Sequence, residues 1–136
     1  MAEGLSPMGV MLLVEPLSRL ETDSVVGCRE GAELVEAVGH PNFRLHVDLK
    51  STFAEKEDQD SLWSEYGRYI RHCHVADPGL KPPSDACPDH RVAAAAMRRA
   101  GYAGYVSIEM GRCNDPAVVE SAVRFVREVY VGQGAS

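Results

Sequence analysis

The stretch Gly101-Tyr102-Ala103-Gly104-Tyr105-Val106-Ser107-Ile108-Glu109, with Asn114-Asp115-Pro116 shortly after it, decides the fold class. Glycine directly after an amphipathic run is a helix stop, so Gly101 closes a helix. Tyr105 to Glu109 is short, apolar and β-branched in its middle, and reads as a strand that ends on a carboxylate. Asp115 ahead of Pro116 is a cap followed by proline in the first turn. It opens a helix whose expected buried face is Val118, Val119, Ala122, Val123, Val126 and Val129. The same unit recurs toward the N-terminus. A helix with Val92, Ala93, Ala96, Met97 and Ala100 inward follows the proline-rich loop Asp77 to Pro88. Before that loop lies an extended piece, Ile70 to Val75, entered from a helix within Gln59 to Arg71 that places Leu62, Tyr66 and Ile70 at i, i+4 and i+8. Phe43 to Val47 reads as a strand ending at Asp48. It follows a helix with Ala32, Val35 and Val38 on one face, between the turn at Glu21-Thr22-Asp23-Ser24 and the stop at Gly39-His40-Pro41. The first apolar run, Val10 to Val14, ends at Glu15-Pro16.

Four strands alternating with four helices imply parallel strands joined by right-handed crossovers, an α/β fold. An open doubly wound sheet and a part of a (β/α)8 barrel both use that pattern. No strand-to-helix turn carries the glycine fingerprint of a dinucleotide fold. The polar residues gather instead at the C-terminal ends of the strands, where a barrel keeps its chemistry.

The chain has 136 residues, 45% hydrophobic and 25% charged, with a net charge of −6. That apolar content and its periodicity exclude a disordered chain. Val10 to Val14 is far too short to cross a bilayer, and no basic segment with a small-residue cleavage site precedes it, so neither a membrane span nor a secretory signal is expected. Phosphate binding wants a basic face, and an acidic chain without a Lys/Arg stripe points away from nucleic acid. Cys28, Cys73, Cys87 and Cys113 form no Cys-x-x-Cys pair and are expected as reduced thiols of a cytoplasmic protein.

Each strand delivers one metal-ligand residue at its C-terminal end: Glu15, Asp48, His74 and Glu109. Taken singly, an acidic residue there is an ordinary cap or a solvated loop residue, and a lone histidine an ordinary core or surface residue. Equivalent positions in four successive units are another matter, because in a parallel barrel those ends converge on one rim. Three carboxylates and an imidazole make a mainly oxygen site, suited to Mn²⁺, Mg²⁺ or Co²⁺. Such an ion polarises a carbonyl while a carboxylate takes a proton from the adjacent carbon.

Four segments carry a family resemblance: Glu15-Pro16-Leu17-Ser18-Arg19-Leu20-Glu21, His40-Pro41-Asn42 to Asp48, Ile70-Arg71-His72-Cys73-His74-Val75-Ala76-Asp77, and Gly101 to Glu109. In order and spacing they resemble the xylose isomerase-like TIM-barrel superfamily, nearest its sugar phosphate isomerase/epimerase branch, which includes ketose 3-epimerases, hydroxypyruvate isomerases and inosose dehydratases. The resemblance implies that Glu15, Asp48, His74 and Glu109 hold the metal and that Glu15 and Glu109 are the acid/base pair. Glu21 matches a glutamate that binds substrate or supports the first ligand, and His72 opens a His-x-His motif. Ser51 and Leu80 stand where the epimerases carry a histidine and an arginine, which leaves Lys50 and Lys81 to supply polar contacts to substrate.

A whole barrel needs about 250 residues. The resemblance therefore makes residues 1–136 a single partial domain, the C-terminal half of a (β/α)8 TIM barrel with its last four βα units. Ala2 to Met8 would end the preceding helix, and residues 132–136 a frayed tail. The expected function is a divalent-metal-dependent isomerase or epimerase of a small sugar, sugar phosphate or hydroxy-keto acid, weak or inactive as an isolated half barrel. The alternatives are a catalytically inactive half barrel acting through a partner chain, and an inosose dehydratase-like lyase. An apurinic endonuclease would need more histidines at the strand ends. The open sides of a half barrel are expected to pair with a second copy or with a complementing N-terminal half.

Overall fold

Four parallel strands form one sheet in the order β1-β2-β3-β4, so every strand lies beside its sequence neighbour. They are β1 (Leu12–Val14), β2 (Phe43–Asp48), β3 (Ile70–Val75) and β4 (Tyr105–Ile108). The computed structural model describes residue 4 and residues 6–132. The expectations for Ala2, Glu3 and Leu5 and for the tail at 133–136 lie outside the described residues. The connecting helices are α1 (Gly27–Val38), α2 (Leu49–Ala54), α3 (Gln59–Tyr66), α4 (Asp89–Arg99) and α5 (Pro116–Val126), the last running into a π-helical turn, Arg127–Val131. Sequential parallel strands with helices in every crossover are the arrangement of a TIM barrel. No helix among the described residues is long and apolar enough to cross a membrane.

The core lies between the sheet and the helices. Leu45, Val47, Cys73 and Val75 alternate along β2 and β3 and are wholly buried on the helix side, with Trp63 of α3 and Ala93 and Ala94 of α4 against them. Burial of that continuous apolar face is the main favourable contribution to folding. His90, also fully buried, is satisfied at both ring nitrogens: Nε2 lies 2.8 Å from Asp77 Oδ1 and Nδ1 2.6 Å from the Tyr130 hydroxyl. It ties α4 to the loop after β3 and to the last turn of the chain.

Helix ends follow their chemistry. Asp115 accepts from Ala117 N–H as the cap of α5, with Pro116 opening the helix. Gly39 ends α1 at φ +62°, a left-handed residue that glycine takes without strain. Gly31 serves close approach: a Cβ there would stand 2.5 Å from Pro16 Cγ and 2.6 Å from Leu45 Cδ1. Gly31→Ala is therefore expected to push α1 off the sheet and cost about 1–3 kcal/mol, read as a lower midpoint in thermal denaturation. An unchanged midpoint would show that α1 shifts freely.

Several expected core faces differ. Val38, Val92, Ala100, Val119 and Val123 are exposed, and Val118 is half-buried. The turn at Gly67–Tyr69 is a 3-10 helix, so the helix before β3 stops at Tyr66. Helix α2 was not expected: it carries Lys50, Ser51 and Thr52 inward with Leu49 and Phe53, so no apolar period marks it. On α5 the buried residues are Ala122, Phe125 and Val126, because nothing in the described chain covers the side that bears Val119 and Val123. Among the described residues the sheet edges are likewise open: β1 and β4 each have one strand partner, and Tyr105 is 82% exposed.

Candidate metal centre

The register of the sheet sets the site in layers. His46 pairs with His72, and one layer further along Asp48 pairs with His74, which in turn lies opposite Ser107 of β4. These side chains share the face away from the helices, since strand residues two apart point the same way. Glu15 follows β1 directly. Glu109 follows β4 and prolongs the ladder, its N–H donating to Val75 O at 3.1 Å.

Glu15, His74 and Glu109, from three strands, bring one ligand atom each to within 4.8 Å of one another. His74 Nδ1 lies 3.2 Å from Glu109 Oε2 and 3.9 Å from Glu15 Oε1. It is buried without a hydrogen-bond partner. A ring nitrogen facing two carboxylates, with an aligned hydrogen bond to neither, makes with them a donor set to which a divalent cation fits. Two oxygens and one nitrogen match Mn²⁺, Mg²⁺ or Co²⁺.

Asp48 lies outside that group. It is 1% exposed and is held by the residue two places on: Oδ1 accepts from Lys50 N–H at 3.0 Å as the cap of α2, and Lys50 Nζ sits 2.7 Å from Oδ2. The same ammonium reaches Glu21 Oε1 at 2.9 Å, while Ser18 and Ser51 donate to Glu21 Oε2 at 2.9 and 3.2 Å. Lys50 and Glu21 are thus engaged with each other and with Asp48 beside the rim. Lys81 is exposed on a short antiparallel bridge with Asp77. Among the described residues no side-chain hydrogen bond or ion pair ties it to the others. Leu80, at the turn before it, has φ +57°.

Burial raises the pKa of Glu15, with the Asp48 and Glu109 carboxylates adding to it against the pull of His74. Burial also raises Asp48, in spite of Lys50. At Glu21 burial is outweighed by the hydrogen bonds from Lys50, Ser18 and Ser51, and the carboxyl is held low. The Lys50 ammonium loses to burial less than it gains from Asp48 and Glu21, so its pKa rises. Carboxylates crowded this way favour the arrival of positive charge.

His46 was not expected at the site. The signal was available, because it stands two residues before Asp48 as His72 stands two before His74. Burial, with His74 and His72 nearby, depresses it to about 4. The unfolded chain protonates this group near its ordinary 6.5. Between those values the unfolded state binds more protons, so this contribution to stability falls as pH drops from 6.5 toward 4. At about 1.4 kcal/mol per unit it amounts to roughly 3 kcal/mol. Melting in pH steps should show His46→Gln losing less stability than the parent across that window. Parallel curves would mean that the folded chain protonates His46 as readily as the unfolded one.

The sequence pattern of the family described as xylose isomerase-like TIM barrel matches residues 1–129. The chain belongs to that family. Solved structures agree with this TIM-barrel membership at the level of the fold. D-psicose 3-epimerase from Clostridium cellulolyticum H10, solved with D-tagatose, superposes with a TM-score of 0.85 at 21% identity, over 95% of this chain and 52% of that one. The 3-keto-D-glucoside 4-epimerase from E. coli gives 0.82 at 18% identity, covering 93% and 49%. An AP endonuclease, family 2, from Brucella melitensis gives 0.69 at 22% identity, covering 92% and 48%. The chain thus spans about half the length of these structures. No curated protein matches it in sequence.

Proposed function

We propose that the chain is the C-terminal half of a divalent-metal-dependent sugar or sugar phosphate isomerase/epimerase. The carrying observation is the convergence of Glu15, His74 and Glu109 from the ends of three strands. These three would hold Mn²⁺, Mg²⁺ or Co²⁺, with Asp48 as a fourth ligand once Lys50 releases it. The ion, when bound, polarises a substrate carbonyl and acidifies the neighbouring C–H. Glu15 and Glu109 follow strands at opposite edges of the sheet, and a substrate carbon held between them would meet a carboxylate on each side. One accepts its proton while the other supplies one. The raised pKa of Glu15 brings it nearer the working range of such an exchange. Glu21 and Lys50 offer polar atoms to substrate hydroxyls beside that carbon, with His72 below and Lys81 on the loop above. Sugar epimerases among the structural neighbours support the substrate class.

Incubation with Mn²⁺ and a panel of ketoses in D₂O, followed by NMR, tests this. Loss of the proton next to the carbonyl, dependent on added metal and absent in Glu109→Gln, is expected, at a low rate for a chain that spans about half the length of its structural neighbours. Exchange that survives without metal or in that variant would overturn it.

The open edges of β1 and β4 favour a second reading, in which the half barrel acts through association. The occupant of those edges would be a second copy or four preceding βα units, either of which pairs the free backbone groups. Metal binding with no exchange on any ketose, and a dimer in light scattering, would support it. A monodisperse monomer would count against it.

A further inference from the structure

We propose that His46, His72 and His74 form a second, all-nitrogen cation site one layer beneath the carboxylate rim, selective for Zn²⁺ or Cu²⁺ over Mg²⁺ and Mn²⁺. A barrel interior at this depth is ordinarily packed with branched aliphatic side chains. Here three imidazoles fill it. One nitrogen from each lies within 4.8 Å of the others. The rings meet edge to face, 4.1 Å apart for His46 and His74 and 5.1 Å for the other two pairs.

A core histidine kept for packing alone would be hydrogen-bonded, because a buried ring nitrogen without a partner costs free energy. His46 is 8% exposed, and its Nε2 is buried with no partner. His74 Nδ1, also without a partner, faces the Glu15 and Glu109 carboxylates, so the orphan particular to the trio is His46 Nε2, on a side chain this deeply buried the mark of a ligand position. Ligation at ~2.1 Å would bring the nitrogens to about 3.4 Å apart, which rotations of the rings can supply. Glu15 Oε2 lies 3.6 Å from His46 Nδ1, on the far side of the ring from Nε2, where a carboxylate orients the imidazole and raises its basicity as a ligand.

Donor chemistry sets the selectivity. Imidazoles favour Zn²⁺ and Cu²⁺, while Mg²⁺ and Mn²⁺ prefer oxygen. The trio shares His74 with the Glu15/His74/Glu109 group, so an ion below takes a ligand from the ion above. Zn²⁺ would therefore compete with Mn²⁺ at the rim although their remaining ligands differ. The trio itself does not depend on the sugar isomerase reading.

The test uses the full chain without a histidine tag. Cu²⁺ titration followed by electron paramagnetic resonance should show splitting from several nitrogens. Calorimetry should show Zn²⁺ binding that weakens at least about tenfold in His72→Gln, the scale of losing a ligand or its support, with Mn²⁺ affinity essentially unchanged. In Glu109→Gln the order should reverse, with Mn²⁺ weakened and Zn²⁺ retained. His46→Gln serves as a second variant if His72→Gln melts early. An oxygen-only Cu²⁺ spectrum, or Zn²⁺ affinity indifferent to both histidine variants, overturns the proposal. Zn²⁺ binding of the stated pattern without any Mn²⁺ binding would uphold the trio and remove the carboxylate site instead.

Discussion

Replacing Glu15 and Glu109 together by glutamine is expected to weaken Mn²⁺ binding by at least about 100-fold. Supporting groups around a metal are commonly worth 10–100-fold each, and here two of the three ligands lose their charge. The exchange of carboxylate for amide keeps shape and volume, so the fold should stand. Neither side chain belongs to the apolar core. Glu109 is exposed, and Glu15 is half-buried with its charge disfavoured by burial and by the Asp48 and Glu109 carboxylates. Removing both charges relieves that repulsion, so the apo protein should melt at the same temperature or slightly higher. Calorimetric titration of parent and variant with Mn²⁺ decides the matter. Equal affinities would mean that the ion binds elsewhere, and the proposed proton exchange would lose its metal.

The sequence made the order of elements legible because strand and helix differ in period, and because Gly39, Gly101 and Asp115-Pro116 punctuate it. It did not show which side of each helix is covered. Apolar periodicity marks what can be buried. Val119 and Val123 on α5 satisfy that pattern and remain exposed because nothing described lies against them. Helix α2 escaped for the opposite reason. It is short, and its inward residues Lys50, Ser51 and Thr52 are polar, held by hydrogen bonds and charge rather than by an apolar stripe. The wholly buried Trp63 and His90 depend on contacts across elements, which no local pattern records.

The strand-end residues were legible as positions. Parallel strands deliver their C-terminal ends to one rim, and Glu15, His74 and Glu109 do meet there. The state of Asp48 was not legible, since the direction of one flexible lysine side chain decides it. His72 came with the resemblance, as the opening of a His-x-His motif, whereas His46, two residues before Asp48, ends no strand and belongs to no motif.

Lys50→Met carries the second large effect, and its two consequences run in opposite directions. Lys50 is 7% exposed and its ammonium lies against Asp48, which is 1% exposed, so the pair is buried. Removing one partner of a buried pair leaves the other charge uncompensated, at a cost of about 3–5 kcal/mol. For a chain of this size that lowers the melting temperature by roughly 10–15 °C. Asp48 answers in part by taking up a proton, since burial already raises its pKa. The apo variant should therefore recover some stability as pH is lowered. A divalent cation supplies the missing charge in another way. With Lys50 gone, Asp48 Oδ2 is free to turn toward Glu15, His74 and Glu109, giving four ligands in place of three. Mn²⁺ should then bind the variant more tightly than the parent and raise its melting temperature further, because ligand that binds only the folded state stabilises it in proportion to its affinity. Melting curves of both proteins across a Mn²⁺ series measure the two effects together. A variant that melts early but gains no extra stabilisation from Mn²⁺ would show that Asp48 does not join the metal even when released.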